Sequence, residues 1–302
     1  MSSLINWYPG HIAKAQNTLK EQLKLIDFVL ELVDARLPSS GRFDVTNTLL
    51  RDKPRILVVT KSDMADKERV QAWIQYYRNQ GHTVVAINAQ TGQGMPGLQK
   101  AMQLEHDKVK AKMVARGRLP RASRVMVVGQ PNVGKSSLIN KLAKKRTVDV
   151  GNKPGVTKGV RWIRLGATLE LMDTPGIIPA KLDNQELALK LALVGSVSTE
   201  AYDPIIVAPA ALKVLEKYAP ETLQRFKDDL TLEGIGKKRG YLLPGGEINL
   251  ERTSRSLMND IRDGVLGPMT LDYAPMEVIE EITEPQGIEG AEVGVYPRPS
   301  RD

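Results

Sequence analysis

Four apolar residues at 125–128 run directly into the stretch GQPNVGKSS, which opens at Gly129. The spacing is a glycine, four residues, a second glycine at Gly134, then Lys135 and Ser136. The glycines let the backbone turn so tightly that successive amides point at one anion. The lysine and the hydroxyl then stand at the N-terminus of a helix, where the dipole favours negative charge. Such a loop needs a buried strand before it and a helix after it, so the chain is expected to form a parallel sheet wrapped by helices. The chemistry is that of a nucleoside triphosphate. Lys135 reaches the outer phosphates and the Ser136 hydroxyl faces Mg²⁺, while Asn132, Val133, Gly134 and Ser137 complete the phosphate-binding set.

The rest of the N-terminal half fits that frame. Apolar runs at 28–33, 56–59 and 84–87 have the character of buried parallel strands. Helical periodicity occupies 67–80 and 95–113 between them. A first helix is expected over 11–26, where Ile12, Ala15, Leu19, Leu23 and Ile26 recur at three and four. After the phosphate loop come a helix at 135–142 and strands at 160–165 and 169–172. Beyond residue 180 no strand run of that quality recurs. Helices are expected at 184–196, with Leu187, Leu191 and Val194 on one face, and at 209–226 and 253–267. The organisation is therefore an α/β domain over 1–180, a small helical domain over 181–274 and a loose acidic tail over 275–302. Two domains also suit a chain of 302 residues.

Two further motifs narrow the ligand. A strand ends in DTPG at Asp173, where the carboxylate can hold Mg²⁺ through water and the Gly176 amide can meet the terminal phosphate. The glycine and proline loop between the two motifs offers Thr157 as the hydroxyl that completes the Mg²⁺ shell. The base is read from the N-terminal half, where one strand runs into Thr60, Lys61, Ser62 and Asp63 and another into Asn88, Ala89 and Gln90. A carboxylate at Asp63 accepts from both the ring N–H and the exocyclic amine of guanine. Adenine would leave it unpaired, at a large cost. The stem of Lys61 can lie along the base plane and the backbone at Ala89 can meet the guanine carbonyl.

Composition excludes several alternatives. Cysteine is absent, which removes disulfides, thiol catalysis and Cys-rich zinc sites, and suits a reducing cytosol. Three histidines leave little room for a His-based metal centre, and His82 and His106 are expected at the surface. No apolar run approaches the roughly 20 residues of a spanning helix, and the polar start lacks a secretory core. Charge is uneven along the chain. Eight basic side chains face two acids over 100–124, and eight face Asp149 alone over 141–164. Basic stretches on both sides of the phosphate loop favour a polyanionic partner.

All the guanine-nucleotide motifs of the Ras-like GTPases are thus present, but Asp63 precedes Gly129, the reverse of the usual order. In this the chain resembles the circularly permuted GTPases. With WYPGHIAKA at the start, VDARLP after the first strand and GGEINLERT near the end, it is similar in particular to the ribosome biogenesis GTPase A family. The resemblance runs from Trp7 to about Tyr273. It implies a Mg²⁺-dependent cytoplasmic GTPase, acting as a monomer, that binds ribosomal RNA and proteins of the maturing large subunit.

Some residues depart from the family pattern. Thr60 stands where such GTPases more often carry Asn, which calls into question the contact that this Asn makes to the phosphate loop. The stretch SSGRFDVTN after Pro38 is altered and is given no role. Ile177 follows DTPG in place of the Gln that orients water in Ras-type enzymes, so intrinsic turnover should be slow. The resemblance offers two compensations: His11 approaching the γ-phosphate, and a K⁺ ion held with the help of Asn132. Two other readings remain open. A permuted GTPase acting on the small subunit or another RNA would carry a β-rich module or Cys-rich zinc sites. A P-loop ATPase or small-molecule kinase would lack TKSD.

Overall fold

Every residue of FVLELVD, which forms strand β1 (Phe28–Asp34), is buried. A strand of that kind belongs in the middle of a sheet covered on both faces. The computed structural model, which describes residue 5 and residues 19–42, 48–50, 53–143, 161–173 and 184–275, places it there. On one side of β1 lie β2 (Arg55–Thr60) and then β3 (Thr83–Ala86). On the other lie β4 (Ser123–Gly129), then β6 (Leu169–Asp173) and, at the edge, β5 (Arg161–Leu165). All pairings are parallel except that of β5 with β6.

Parallel neighbours require crossover connections. They are supplied by α1 (Lys67–Asn79) between β2 and β3 and by α2 (Met95–Ala115) between β3 and β4, with α3 (Lys135–Leu142) following β4. Side chains alternate between the two faces of the sheet. Phe28, Leu30, Leu32, Val125 and Val127 pack against Leu98, Met102, Leu138 and Ile139 of α2 and α3. On the opposite face Val33, Leu57 and Val59 meet Val70, Trp73, Ile74 and Tyr77 of α1, and Val29, Met126 and Val128 meet Leu19, Leu23 and Ile26.

A second core is built from helices alone: α4 (Gln185–Leu193), α5 (Pro204–Tyr218), α6 (Leu232–Arg239) and α7 (Leu250–Arg262). Leu191, Val207, Ala211, Leu215, Ile235, Leu257 and Ile261 fill it. Each helix begins at a polar side chain, Asn184, Asp203, Thr231 or Asn249, that accepts a first-turn amide. The caps correct three boundaries. Asp203 with Pro204 starts α5 earlier than the expected 209, leaving Pro209 inside the helix, and Pro220 opens a separate 3₁₀ turn over 220–226. Asn249 starts α7 at Leu250 rather than at 253. The third helix of the core, α6, carries two glycines and so lacks the apolar periodicity that marks the others in the sequence. No described helix is long and apolar enough to cross a membrane.

The two cores are joined by long-range contacts. Leu37, just after β1, belongs to the helical core. In return the backbone amides of Met269 and Leu271 donate to the carbonyls of Met64 and Arg36 at 3.0 and 2.8 Å. Asp272 is buried and accepts from the Ser39 and Ser40 amides at 2.9 and 2.7 Å and from the Lys190 ammonium at 3.1 Å. The stretch after Pro38, given no role above, therefore anchors the returning chain.

Two histidines depart from expectation. His106 is buried, with Nδ1 2.8 Å from the Ser123 hydroxyl, because it continues at four-residue spacing the face that carries Leu98 and Met102. His82 is half-buried, edge-on to Tyr77 at 6.1 Å, and burial moves its pKa below the ordinary value. His11, Thr157, Gly176, Ile177 and the acidic tail after residue 275 lie outside the described residues.

Candidate nucleotide-binding site

The sheet register sets Asp34 opposite Thr60, Val59 opposite Ala86 and Leu32 opposite Gly129. The carboxyl ends of four parallel strands thus share one edge. At β1 the chain order reverses, running through β2 and β3 to one side and β4 and β6 to the other. Ligands of open α/β sheets bind at that reversal, outside the strand ends. Both sequence motifs emerge there.

The phosphate loop turns on three residues. A Cβ on Gly129 would stand 2.7 Å from the Leu32 carbonyl oxygen, so only glycine lets β4 leave the sheet this close to β1. Asn132 and Gly134 then take left-handed φ of 58° and 104°, and Lys135 opens α3. The Lys135 ammonium is buried and folded back over the loop, donating to the carbonyls of Gly129 and Gln130 at 3.2 and 2.9 Å. Ser136 and Ser137 are half-buried in the first turn of α3. A hydroxyl beside a buried cation at a helix N-terminus suits a phosphate-bound Mg²⁺. Asp173 closes β6, in register with Val127 of β4.

The loop is also fastened to the helical core. Asn132 donates through Nδ2 to the Gly195 carbonyl at 2.6 Å, and the Ser196 hydroxyl donates to the Pro131 carbonyl at 3.0 Å. Both partners lie just beyond α4.

On the base side, Thr60 is buried and its hydroxyl donates to the Val133 carbonyl at 2.6 Å. Threonine therefore makes the tie to the phosphate loop that its substitution for Asn had put in question. Lys61 adopts a left-handed φ of 55°, uncommon for a non-glycine residue and frequent at functional sites. Its ammonium lies 2.9 Å from the Asp34 carboxylate. Asp63 is exposed in the 3₁₀ turn Ser62–Met64. The neighbouring loop is held by Asn88, whose Oδ1 accepts from the Gln90 and Thr91 amides at 2.8 and 3.0 Å. Lys141 of α3 donates to the Gln90 carbonyl at 3.0 Å. Thr60–Asp63, 88–90 and 129–137 thus converge on one edge of the sheet.

Asp34 and Arg36 of the VDARLP motif join this edge. Both are fully buried. Burial opposes ionisation of Asp34, but the Arg36 and Lys61 cations outweigh it and hold the carboxyl well below the usual carboxylate range. The motif VDARLP was visible, whereas the partners of its charges are distant in sequence.

Residues 124–230 match the model of a family described as 50S ribosome-binding GTPase. Ribosome biogenesis GTPase A of Bacillus cereus is 43% identical over 95% of this chain and 99% of its own length. The Thermotoga maritima protein of the same name is 32% identical over 89% of this chain and 94% of its own length. Among solved structures, GNP-bound YlqF of T. maritima superposes with a TM-score of 0.65 at 27% identity, covering 86% of this chain and 98% of that one. The GDP-bound form gives 0.63 at 26%. A phosphate loop preceded in the chain by its base loop, on a sheet of this topology and with relatives matching nearly end to end, marks the protein as a circularly permuted GTPase that belongs to the ribosome biogenesis GTPase A family.

Proposed function

We propose that this GTPase acts on the maturing large ribosomal subunit, with the α/β domain over 1–180 as its nucleotide switch and the helical domain over 181–274 as a ribosome-contacting part. The observation that carries this reading is the surface of α2 and the turn after it. Lys100, Lys110, Lys112, Arg116 and Arg118 are exposed there, without a carboxylate partner among the described residues. Such a cationic strip suits RNA phosphates. The family model matched by residues 124–230, which include the phosphate loop, carries 50S ribosome binding in its description.

In this reading Asp63 accepts from guanine, the stem of Lys61 lies along the base, and the backbone at Ala89 meets the base carbonyl. Asn132, Val133, Gly134 and Lys135 bind the phosphates, and Gly176 meets the terminal one. Ser136, Thr157 and Asp173 hold the metal, and Mg²⁺ bound there supplies charge neutralisation on the transferring phosphate. Without a Gln after DTPG, stimulated turnover rests on His11 or on a K⁺ bound with the help of Asn132.

Co-sedimentation with purified ribosomal subunits across a salt series tests the proposal. Binding to large subunits should be tight with a non-hydrolysable GTP analogue and weak with GDP. It should also fall steeply with salt, by about 0.9 in log–log slope per phosphate contact on the duplex-DNA scale. Binding indifferent to salt and nucleotide, or favouring small subunits, would overturn it.

A further inference from the structure

Arg36 spends its guanidinium on three different elements. Nε and Nη2 grip the two oxygens of Asp34 at 3.0 and 2.9 Å. Nη1 donates to the Arg262 carbonyl, the last residue of α7, at 2.7 Å, and Nη2 to the Val194 carbonyl, at the C-cap of α4, at 3.3 Å. The carbonyl ends of two helices carry partial negative charge and welcome a cation. The Asp34 Oδ2 that accepts from Arg36 also holds the Lys61 ammonium at 2.9 Å. With its ammonium anchored there, Lys61 keeps a side chain about a quarter exposed (24%) at the mouth of the site.

From this arrangement we infer that Arg36 is a positioning residue for guanine-nucleotide binding: through Asp34 it sets the place of Lys61, and through the carbonyls of Val194 and Arg262 it makes the docking of the helical core a determinant of nucleotide affinity. The inference rests on the assignment of Lys61 to the base. A planar fork is required, because one ammonium cannot serve a carboxylate in two bonds and two carbonyls at once. Breaking the fork leaves a buried carboxylate and two helix ends under-compensated, and Lys61 loses the fixed position of its anchor.

The test is a double-mutant cycle on the full chain, read as labelled-GDP affinity and as GTP turnover. Arg36→Gln should raise the Kd for GDP and the KM for GTP about tenfold while kcat changes less than about twofold, the pattern of lost ground-state binding. Combined with Lys61→Ala it should add less than about a twofold further loss, since residues acting through one another are not additive. Arg36→Lys should fall between wild type and Arg36→Gln. Losses that multiply in the double mutant, or an Arg36→Gln protein with unchanged affinity, would overturn the inference. If Arg36→Gln does not fold, the same cycle with Arg36→Lys decides by the same criterion. Asp63→Asn serves as the control on the base assignment. If it fails to shift preference from guanine to xanthine nucleotides, the base assignment is wrong. If it shifts while Arg36 variants bind normally, only the positioning role falls.

Discussion

Thr60 shows how much one hydroxyl can carry. Its bond to the Val133 carbonyl is the direct link between the end of β2, where the base loop starts, and the phosphate loop. Val133 is fully buried, so its carbonyl has little recourse to water. Thr60→Val keeps the shape and removes the donor, leaving that acceptor unpaired at a cost of about 1–3 kcal/mol. Chemical denaturation should report a loss in that range, and GDP titration a weakening of about five- to tenfold. Thr60→Ser should retain both. A Thr60→Val protein with wild-type affinity would show that the two loops are held together elsewhere.

At the scale of elements, α7 is the keystone of the helical core. Leu257 and Ile261, one turn apart, are both fully buried against that core. Leu257→Ala should cost about 2–5 kcal/mol in urea denaturation, the range for a buried leucine that leaves a cavity. Because Arg262 at the end of α7 receives Arg36, the loss should also appear as weaker nucleotide binding. Elements of this kind were legible in the chain to different degrees. The central strands announced themselves because burial on both faces leaves continuous apolar runs, and β1, β2 and β4 begin or end within two residues of expectation. The helix α6 did not, since LEGIGKKR carries two glycines and only Leu232 and Ile235 as large buried apolar residues. The phosphate and base loops were readable because their chemistry dictates local spacing. The fork of Arg36 was not, because the carbonyls it meets are set by packing between segments more than 150 residues apart.

At the scale of the whole molecule, the permuted order has a mechanical consequence. Among the described residues β6 ends at Asp173, where DTPG begins, and the next element in the chain is α4 at Gln185. The loop after α4 in turn grips the phosphate loop through Gly195 and Ser196. In the proposed reading these two bonds couple the phosphate loop to the helices, as a two-state switch requires. We propose that this switch is thrown on the large ribosomal subunit. The most direct measurement is the steady-state GTP turnover of the full-length protein alone, with purified large subunits and with purified small subunits. Turnover should be slow for the protein alone, about tenfold or more faster with large subunits at low salt, and unchanged by small subunits. Equal turnover in all three conditions would contradict it.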